Sequence, residues 1–587
     1  MDEMKTECSP EEVAMKAFFL GPQAENGLWF REQVGDLLAS WFGWRRECFR
    51  RDGAAIPPRD LSSEIFLKRQ NTLSRRTREL WRRFEQEIPK FTPRYVGNMF
   101  SEQSLPALLG HVVALLHNPN NISAESSRVG LEVEKEAIQM LFSMFGSDPR
   151  SGVGHFTSGG TVANIEALTR ARHRVFLWQA MGAFLKPRGL CQMDLASASA
   201  MGWEEFDRLS SLRPPEEFAD YLRAVKDNEF YWEAFETAYE EHWHAPALII
   251  GASAHYSWKK AASLLGLPSC AVVECRLNEE GHLDGDSLRE ALRFCEESRR
   301  PVGLVVSIAG TTEFGSVDRI DEMAKELQRR KAQGKSIWHH VDAAYGGFYT
   351  SLRNLRPGGP LEDRVLQSLK AVSEADSVTI DPHKLGYVPY SSGAFLCRNR
   401  RDYPHQSPHA PYIAFDPGED PGVYSLEGSR PATGATATWL AGVTLGFDEN
   451  GQGRILRRAT EAKRRLEDRL KKIDGVFVPP GLDLNVICFA VGRERSLRRL
   501  NQSGRDFVKW IESRGESSFQ VSRTTIGLRE KNHFLFRWLR ENRVEADTDE
   551  AYFVRLCLMN PFLTSSELRT DLIEEFADRV DEYLKRG

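Results

Sequence analysis

A lysine set directly behind a short, stiff strand can condense with an aldehyde to form an imine. This chain offers one in Asp376-Ser-Val-Thr-Ile-Asp-Pro-His-Lys384. Ser377 to Ile380 is short, β-branched and bounded by Asp-Pro, so it reads as a buried strand. Pro382 lacks a backbone donor and biases Asp381 away from the helical region, which leaves His383 and Lys384 on the loop beyond the strand. In open α/β sheets ligands bind outside that edge. A lysine considered alone is most often a solvated surface residue, so the weight rests on what accompanies it.

Four other stretches carry chemistry at element ends. Gly159-Gly160-Thr161 closes an extended piece and opens a helix expected to run to about 179; free amides and a helix dipole at such a start attract an anion, although a Gly-Gly-Thr step is usually only a cap. His255 stands a few residues beyond the apolar run Ala247 to Gly251, just before a helix. Thr312 follows the apolar run Val302 to Ile308. Asp342 ends the run 337–341 and is followed by two alanines. It can cap the next helix, the commoner role, or pair with a cationic nitrogen of a flat ligand lying over the alanines. Pyridoxal phosphate (PLP) needs such an anion, because a carboxylate keeps its pyridine nitrogen protonated and able to take up electrons.

These positions need strands to hold them. Further apolar runs at 270–275 and Gly393 to Cys397 complete an alternation of strand and helix from about 150 to 400, which points to a mostly parallel sheet covered on both faces. Residues 1–100 are expected to be helical and rich in aromatics, an arm that needs a surface from a partner subunit or from the main domain. Leu61-Ser-Ser-Glu64 has the pattern of a capping box. Two amphipathic helices within 105–145 flank a polar link, 176–245 reads as peripheral helices without chemistry, and 401–424 is a proline-rich loop of the kind that forms lids. Helices at 454–472 and 504–515, with strands at 484–491 and 553–559, make a smaller α+β unit.

Composition narrows the class. With 587 residues, about two or three domains are expected. Hydrophobic content of 41%, charged content of 27% and a net charge of −5 suit a soluble globular protein and offer no basic excess for nucleic acid. The nine cysteines form no Cys-x-x-Cys pair, which fits a reducing compartment and no metal site. The first residues lack the basic start and apolar run of a signal peptide, and no stretch has the length of a membrane span. A cytoplasmic protein is expected.

Taken together, Gly159-Gly160-Thr161, His255, Thr312, Asp342 and His383-Lys384 resemble, in that order, the group II PLP-dependent amino-acid decarboxylases. The likeness is most specific in His339-His-Val-Asp342-Ala-Ala-Tyr345 and Asp381-Pro-His-Lys384, and it runs from about Arg94 to the end. Within the group, His117-Asn-Pro-Asn-Asn121, Glu125-Ser-Ser127, Gly154-His155, Gly386-Tyr-Val-Pro-Tyr390 and Leu426-Glu-Gly-Ser-Arg430 are similar to bacterial tyrosine decarboxylases. The resemblance implies the fold type I, aminotransferase-like architecture: a mostly parallel seven-stranded sheet between helices. It implies a helical dimerisation segment over 1–125, a large PLP-binding domain over 126–440 and a small domain over 441–587. It also implies a homodimer with its sites at the subunit boundary.

Carried over by residue, Lys384 would hold PLP as an imine, His255 would stack on its ring with Ala344 beneath, and Asp342 would face the pyridine nitrogen. Thr312 would lie beside the cofactor. Gly160, Thr161 and His383 would hold its phosphate, aided by Gly428 and Ser429 from the other subunit. Tyr412 would protonate the carbanion, with Tyr390 and Tyr387 behind it. Two departures bear on the substrate: Asn98 replaces a histidine and Cys557 a serine of the tyrosine enzymes. With Tyr390 these are the candidate substrate contacts. The activity implied is decarboxylation of an aromatic L-amino acid such as tyrosine; an acidic amino acid, or decarboxylation coupled to oxidative deamination, is the alternative.

Overall fold

The computed structural model describes residues 10–404, 421–528 and 533–586. Seven strands build the main sheet: β1 (Val153–Thr157), β2 (Ala247–Gly251), β3 (Val272–Cys275), β4 (Val302–Ile308), β5 (Trp338–Asp342), β6 (Ser377–Ile380) and β7 (Gly393–Cys397). Their order across the sheet is β1-β7-β6-β5-β4-β2-β3. The central pairs are parallel, while β7 runs antiparallel to both neighbours, so β1 points the same way as β6. Every residue of β2, β5, β6 and β7 is buried, as expected for strands covered by helices on both faces.

Register brings the reactive ends level. Ile308 lies beside Asp342, and Asp342 beside Thr379, so the loops after β4, β5 and β6 leave from one edge. The turn after β1 leaves from the same edge because β1 shares their direction. Asp342 belongs to the strand itself, one residue beyond the expected run. Residues Ser269–Ala271 form a 3-10 turn behind Pro268, so β3 starts later than the apolar pattern suggests. The helix after β1, Gly160–Leu185, continues past 179 because it meets no breaker before Pro187 and is packed on nearly all sides, between the sheet and the short helices of 195–239.

A second, antiparallel sheet has the order β10-β11-β9-β8, from β8 (Val476–Phe477), β9 (Val486–Val491), β10 (Ser522–Gly527) and β11 (Glu550–Cys557). Its apolar face shares one core cluster with the main sheet. At the other end of the chain, helices Gly27–Cys48 and Glu64–Phe84 bury none of their residues. Ser63, within the expected capping pattern, accepts the Phe66 amide at 3.3 Å and starts the second of them. Among the described residues, no helix is long and apolar enough to cross a membrane.

Candidate active site

The level strand ends enclose a cavity of about 430 Å³. One end is made by the turn after β1. A Cβ built on Gly160 would lie 2.9 Å from Asp381 Oδ2 and 3.1 Å from Ala344 Cβ, so only glycine lets this turn close against the neighbouring loops. The helix opening here leaves its first amides without carbonyl partners, a local seat for an anion, with Thr161 on the same wall. The Ser158 amide donates to the Glu427 carboxylate at 3.1 Å, a contact between the cradle and the 421–430 segment that the motifs did not reveal.

Asp342 closes the deep end and is 5% exposed. Its Oδ2 accepts two hydrogen bonds, from Asn164 Nδ2 at 2.8 Å and Trp258 Nε1 at 3.0 Å. The capping contact, Ala344 N–H to Oδ1, is longer at 3.3 Å. Both side-chain donors are neutral, and no cation pairs with this carboxylate among the described residues, so its charge stays available to the cavity. Asn164 also donates to Ser257 Oγ at 3.0 Å, and Ser257 Oγ lies 2.8 Å from His255 Nδ1. The Ser257 amide donates to the same Nδ1, so the network assigns that nitrogen as the acceptor. Burial lowers the His255 pKa, leaving a neutral ring on the wall. One amide side chain thus ties the carboxylate and the imidazole together.

Lys384 Nζ lies 3.0 Å from Asp381 Oδ2, whose carboxylate is 3% exposed. His383 stacks on Tyr390, with ring centroids 3.9 Å apart, and accepts the Ser392 amide at Nδ1; burial lowers its pKa too. Thr312 and Ala344 line the cavity, as does Tyr390, whose phenol burial pushes up to about 12. Tyr387 is used otherwise: it is fully buried and donates to the Met559 carbonyl at 2.7 Å.

Some expected residues are not brought here. Asn98 does not line the cavity: it is exposed, and its Oδ1 accepts from Arg555 at 3.2 Å, while the same guanidinium donates to the Thr312 carbonyl at 2.8 Å. Cys557 is 1% exposed within β11, bonded by its amide to Val96, with burial pushing its thiol up to about 11. Gly428 and Ser429 lie away from this chain's own cavity, with Ser429 Oγ accepting from Asn120 at 3.1 Å. Tyr412 lies outside the described residues. Asn164, Ser257, Trp258 and Asp381 were the residues that motif reasoning left out of the site. The signals were their positions one turn past Gly160, two and three residues past His255, and three before Lys384.

The donor set fits PLP. An anion seat, a carboxylate for a ring nitrogen, an amine for an aldehyde, and an imidazole and a small alanine as walls surround one space. Three buried polar atoms on that wall, Ser253 Oγ, Asn164 Oδ1 and Asp381 Oδ1, have no partner among the described residues.

This sheet order with this constellation defines a PLP-dependent enzyme of the aminotransferase-like fold. Residues 224–492 match the family described as "Pyridoxal-dependent decarboxylase conserved domain". Across 498 residues the chain is 30% identical to an L-tyrosine decarboxylase of Levilactobacillus brevis, covering 80% of this chain and 77% of that one. It is 26% identical over 423 residues to an L-aspartate decarboxylase of Thermococcus kodakarensis, covering 72% and 85%. In structure it is similar to Oryza sativa TDC with PLP and tryptamine, with a TM-score of 0.61 at 15% identity, covering 96% and 98%. The chain belongs to the pyridoxal-dependent decarboxylases and is a PLP enzyme that decarboxylates an amino acid.

Proposed function

We propose that the amino acid is aromatic, with tyrosine first, and that the enzyme works as a cytoplasmic homodimer. The observation that carries the site reading is the meeting in one cavity of Lys384 Nζ, the Asp342 carboxylate and the Gly160–Thr161 turn. The substrate reading is supported by likeness to the L. brevis enzyme over most of both chains.

In this reading Lys384 holds the cofactor, Gly160, Thr161 and His383 seat its phosphate, Thr312 lies beside it, and Gly428 and Ser429 serve the partner's site. Bound PLP supplies the sink for the electron pair left when the carboxylate departs as CO2. The chain's own residues do the rest. Asp381, 3.0 Å from Lys384 Nζ, holds the amine at the cavity wall, positioned for the aldehyde. Asp342, held by Asn164 and Trp258, keeps negative charge at the deep end and favours a protonated nitrogen there. The neutral His255 ring, fixed through Ser257, sets the plane of whatever lies against it. The net reaction takes up one proton at the former α-carbon. Tyr412 is assigned its delivery on the resemblance alone; Tyr412→Phe should then lose amine formation while retaining cofactor.

Support for the dimer comes from the arm. Ile65, Leu73, Trp81 and Phe84 of helix Glu64–Phe84 are 77%, 68%, 68% and 63% exposed, more apolar surface than a lone chain keeps. Cys48, Cys191, Cys270, Cys295, Cys397, Cys488 and Cys557 carry free thiols, in keeping with a reducing compartment.

A second reading, an acidic substrate, is favoured by Arg555, a buried cation one residue behind the cavity wall. A panel of L-amino acids assayed for CO2, amine, aldehyde and peroxide separates the readings. Tyrosine turned over to amine and CO2 is the expected result. Preference for aspartate or glutamate would overturn the aromatic reading, and aldehyde with peroxide would assign the oxidative alternative. Lys384→Ala should lose both turnover and the yellow absorbance of the loaded enzyme.

A further inference from the structure

A second, smaller cavity of about 200 Å³ lies directly behind the first. Ser253 and Thr311 line both. Its remaining walls come from the 313–316 turn, from β10 of the small sheet, and from apolar side chains including Leu277, Phe314 and Phe534. Glu313 stands in this wall, with Lys259, Glu274 and Thr525 among its other polar members beside the shared serine and threonine. Its Oε2 is shut from solvent and has no hydrogen-bond partner among the described residues, and neither has Ser253 Oγ. A carboxyl oxygen shut from solvent without a partner is costly unless the group is neutral or a ligand or water meets it. The space is large enough for a few water molecules and too small for an aromatic amino acid.

We propose that Glu313 and Ser253 form a proton-supply site, through which the proton consumed at each decarboxylation passes from solvent into the active cavity. This rests on the decarboxylase reading above. The balance is simple: the amino acid loses its carboxylate as CO2, the electron pair of the broken carbon–carbon bond ends in a carbon–hydrogen bond, and one proton per turnover enters from water. A neutral Glu313 gives its proton through cavity water and Ser253 Oγ to the group that delivers it, and takes another from the outer side. The outer side is the Lys259–Glu274 ion pair, 2.6 Å long, with the Lys259 side chain 58% exposed.

Several groups bear on Glu313. Burial raises its carboxyl above the ordinary value, against smaller lowering effects from a hydrogen bond with its own backbone and from the Arg555 charge. The Cys488 thiol donates to its carbonyl at 3.2 Å, and Arg555 bonds the carbonyl of the preceding residue, so the backbone is pinned from β9 and β11 at a residue that lines the cavity.

The test is Glu313→Gln in the PLP-loaded enzyme. It should lower kcat about ten- to hundred-fold with KM and the cofactor absorbance unchanged. It should also remove the fall of kcat at alkaline pH that loss of the Glu313 proton causes in the wild type, and enlarge the solvent deuterium effect. A readout independent of turnover is the infrared carbonyl band of a neutral carboxylic acid: wild-type protein at neutral pH should show it, and Glu313→Gln should lack it. Ser253→Ala, which alters only a hydroxyl, should lower kcat in the same pattern and stands in if the first variant does not fold. Variants with wild-type kcat, pH profile and isotope effect would overturn the proposal. A wild-type enzyme that releases no CO2 from any amino acid would instead overturn the decarboxylase reading.

Discussion

Asn164→Ala removes the one side chain that ties Asp342 to His255. Asn164 is 1% exposed, and its Nδ2 donates to Asp342 Oδ2 at 2.8 Å and to Ser257 Oγ at 3.0 Å. A hydrogen bond to a charged group contributes about 1.5–3 kcal/mol and one to a hydroxyl about 0.5–1.5 kcal/mol. Trp258 still donates to Asp342 at 3.0 Å, so the loss should sit near the lower end, about 2–3 kcal/mol. Part of this falls on stability, read by denaturant unfolding of the apo protein. The part that falls on cofactor binding should weaken it by about ten- to a hundred-fold, since 1.4 kcal/mol is a factor of ten; titrating apo protein with PLP and following absorbance measures it. Asn164→Asp should be worse than Ala, because it sets two carboxylates at oxygen–oxygen contact and forces one to hold a proton. If Asn164→Ala binds PLP as the wild type does, and Asp is tolerated as well as Ala, the claim that this amide organises the site is refuted.

Two further outcomes follow from burial. His339 and His340 lie wholly inside β5, where burial lowers them from 6.5 to about 4 and about 3. The unfolded chain therefore binds more protons across that window. Stability is full above about pH 6.5 and is lost progressively as pH falls to about 3, by roughly 8 kcal/mol for the two together; His340→Gln should flatten the dependence in a urea-midpoint series, and an unchanged slope would refute the assignment. On the arm, Leu73→Glu with Phe84→Glu, which share one face of the helix, should convert the proposed dimer to a monomer in analytical ultracentrifugation and lower activity with it, because charge on that face cannot be buried unpaired. A double variant that remains dimeric would place the interface elsewhere.

What the sequence determined by itself was local. Strand β6 and its end at Asp381-Pro382 follow from β-branched residues and a proline, and β2, β4 and β7 follow from short apolar runs. The lysine, the aspartate, the histidine and the glycine turn could be singled out because each stands at the end of its strand or a few residues beyond it, where a stiff backbone meets a loop. The tertiary structure decided which side chains hold them. Asn164 reaches Asp342 across 178 residues of sequence and Trp258 across 84, distances over which no spacing rule operates, and the two meet only because parallel pairing brings the ends of β2, β4 and β5 to one edge. The same packing tied Arg555 to both Asn98 and the Thr312 carbonyl, and set Glu313 on a second cavity that shares Ser253 with the first. Strand formation is read from neighbours in the chain; hydrogen-bond partners and cavities arise where distant segments are forced to share a core, and one-dimensional order does not encode that directly.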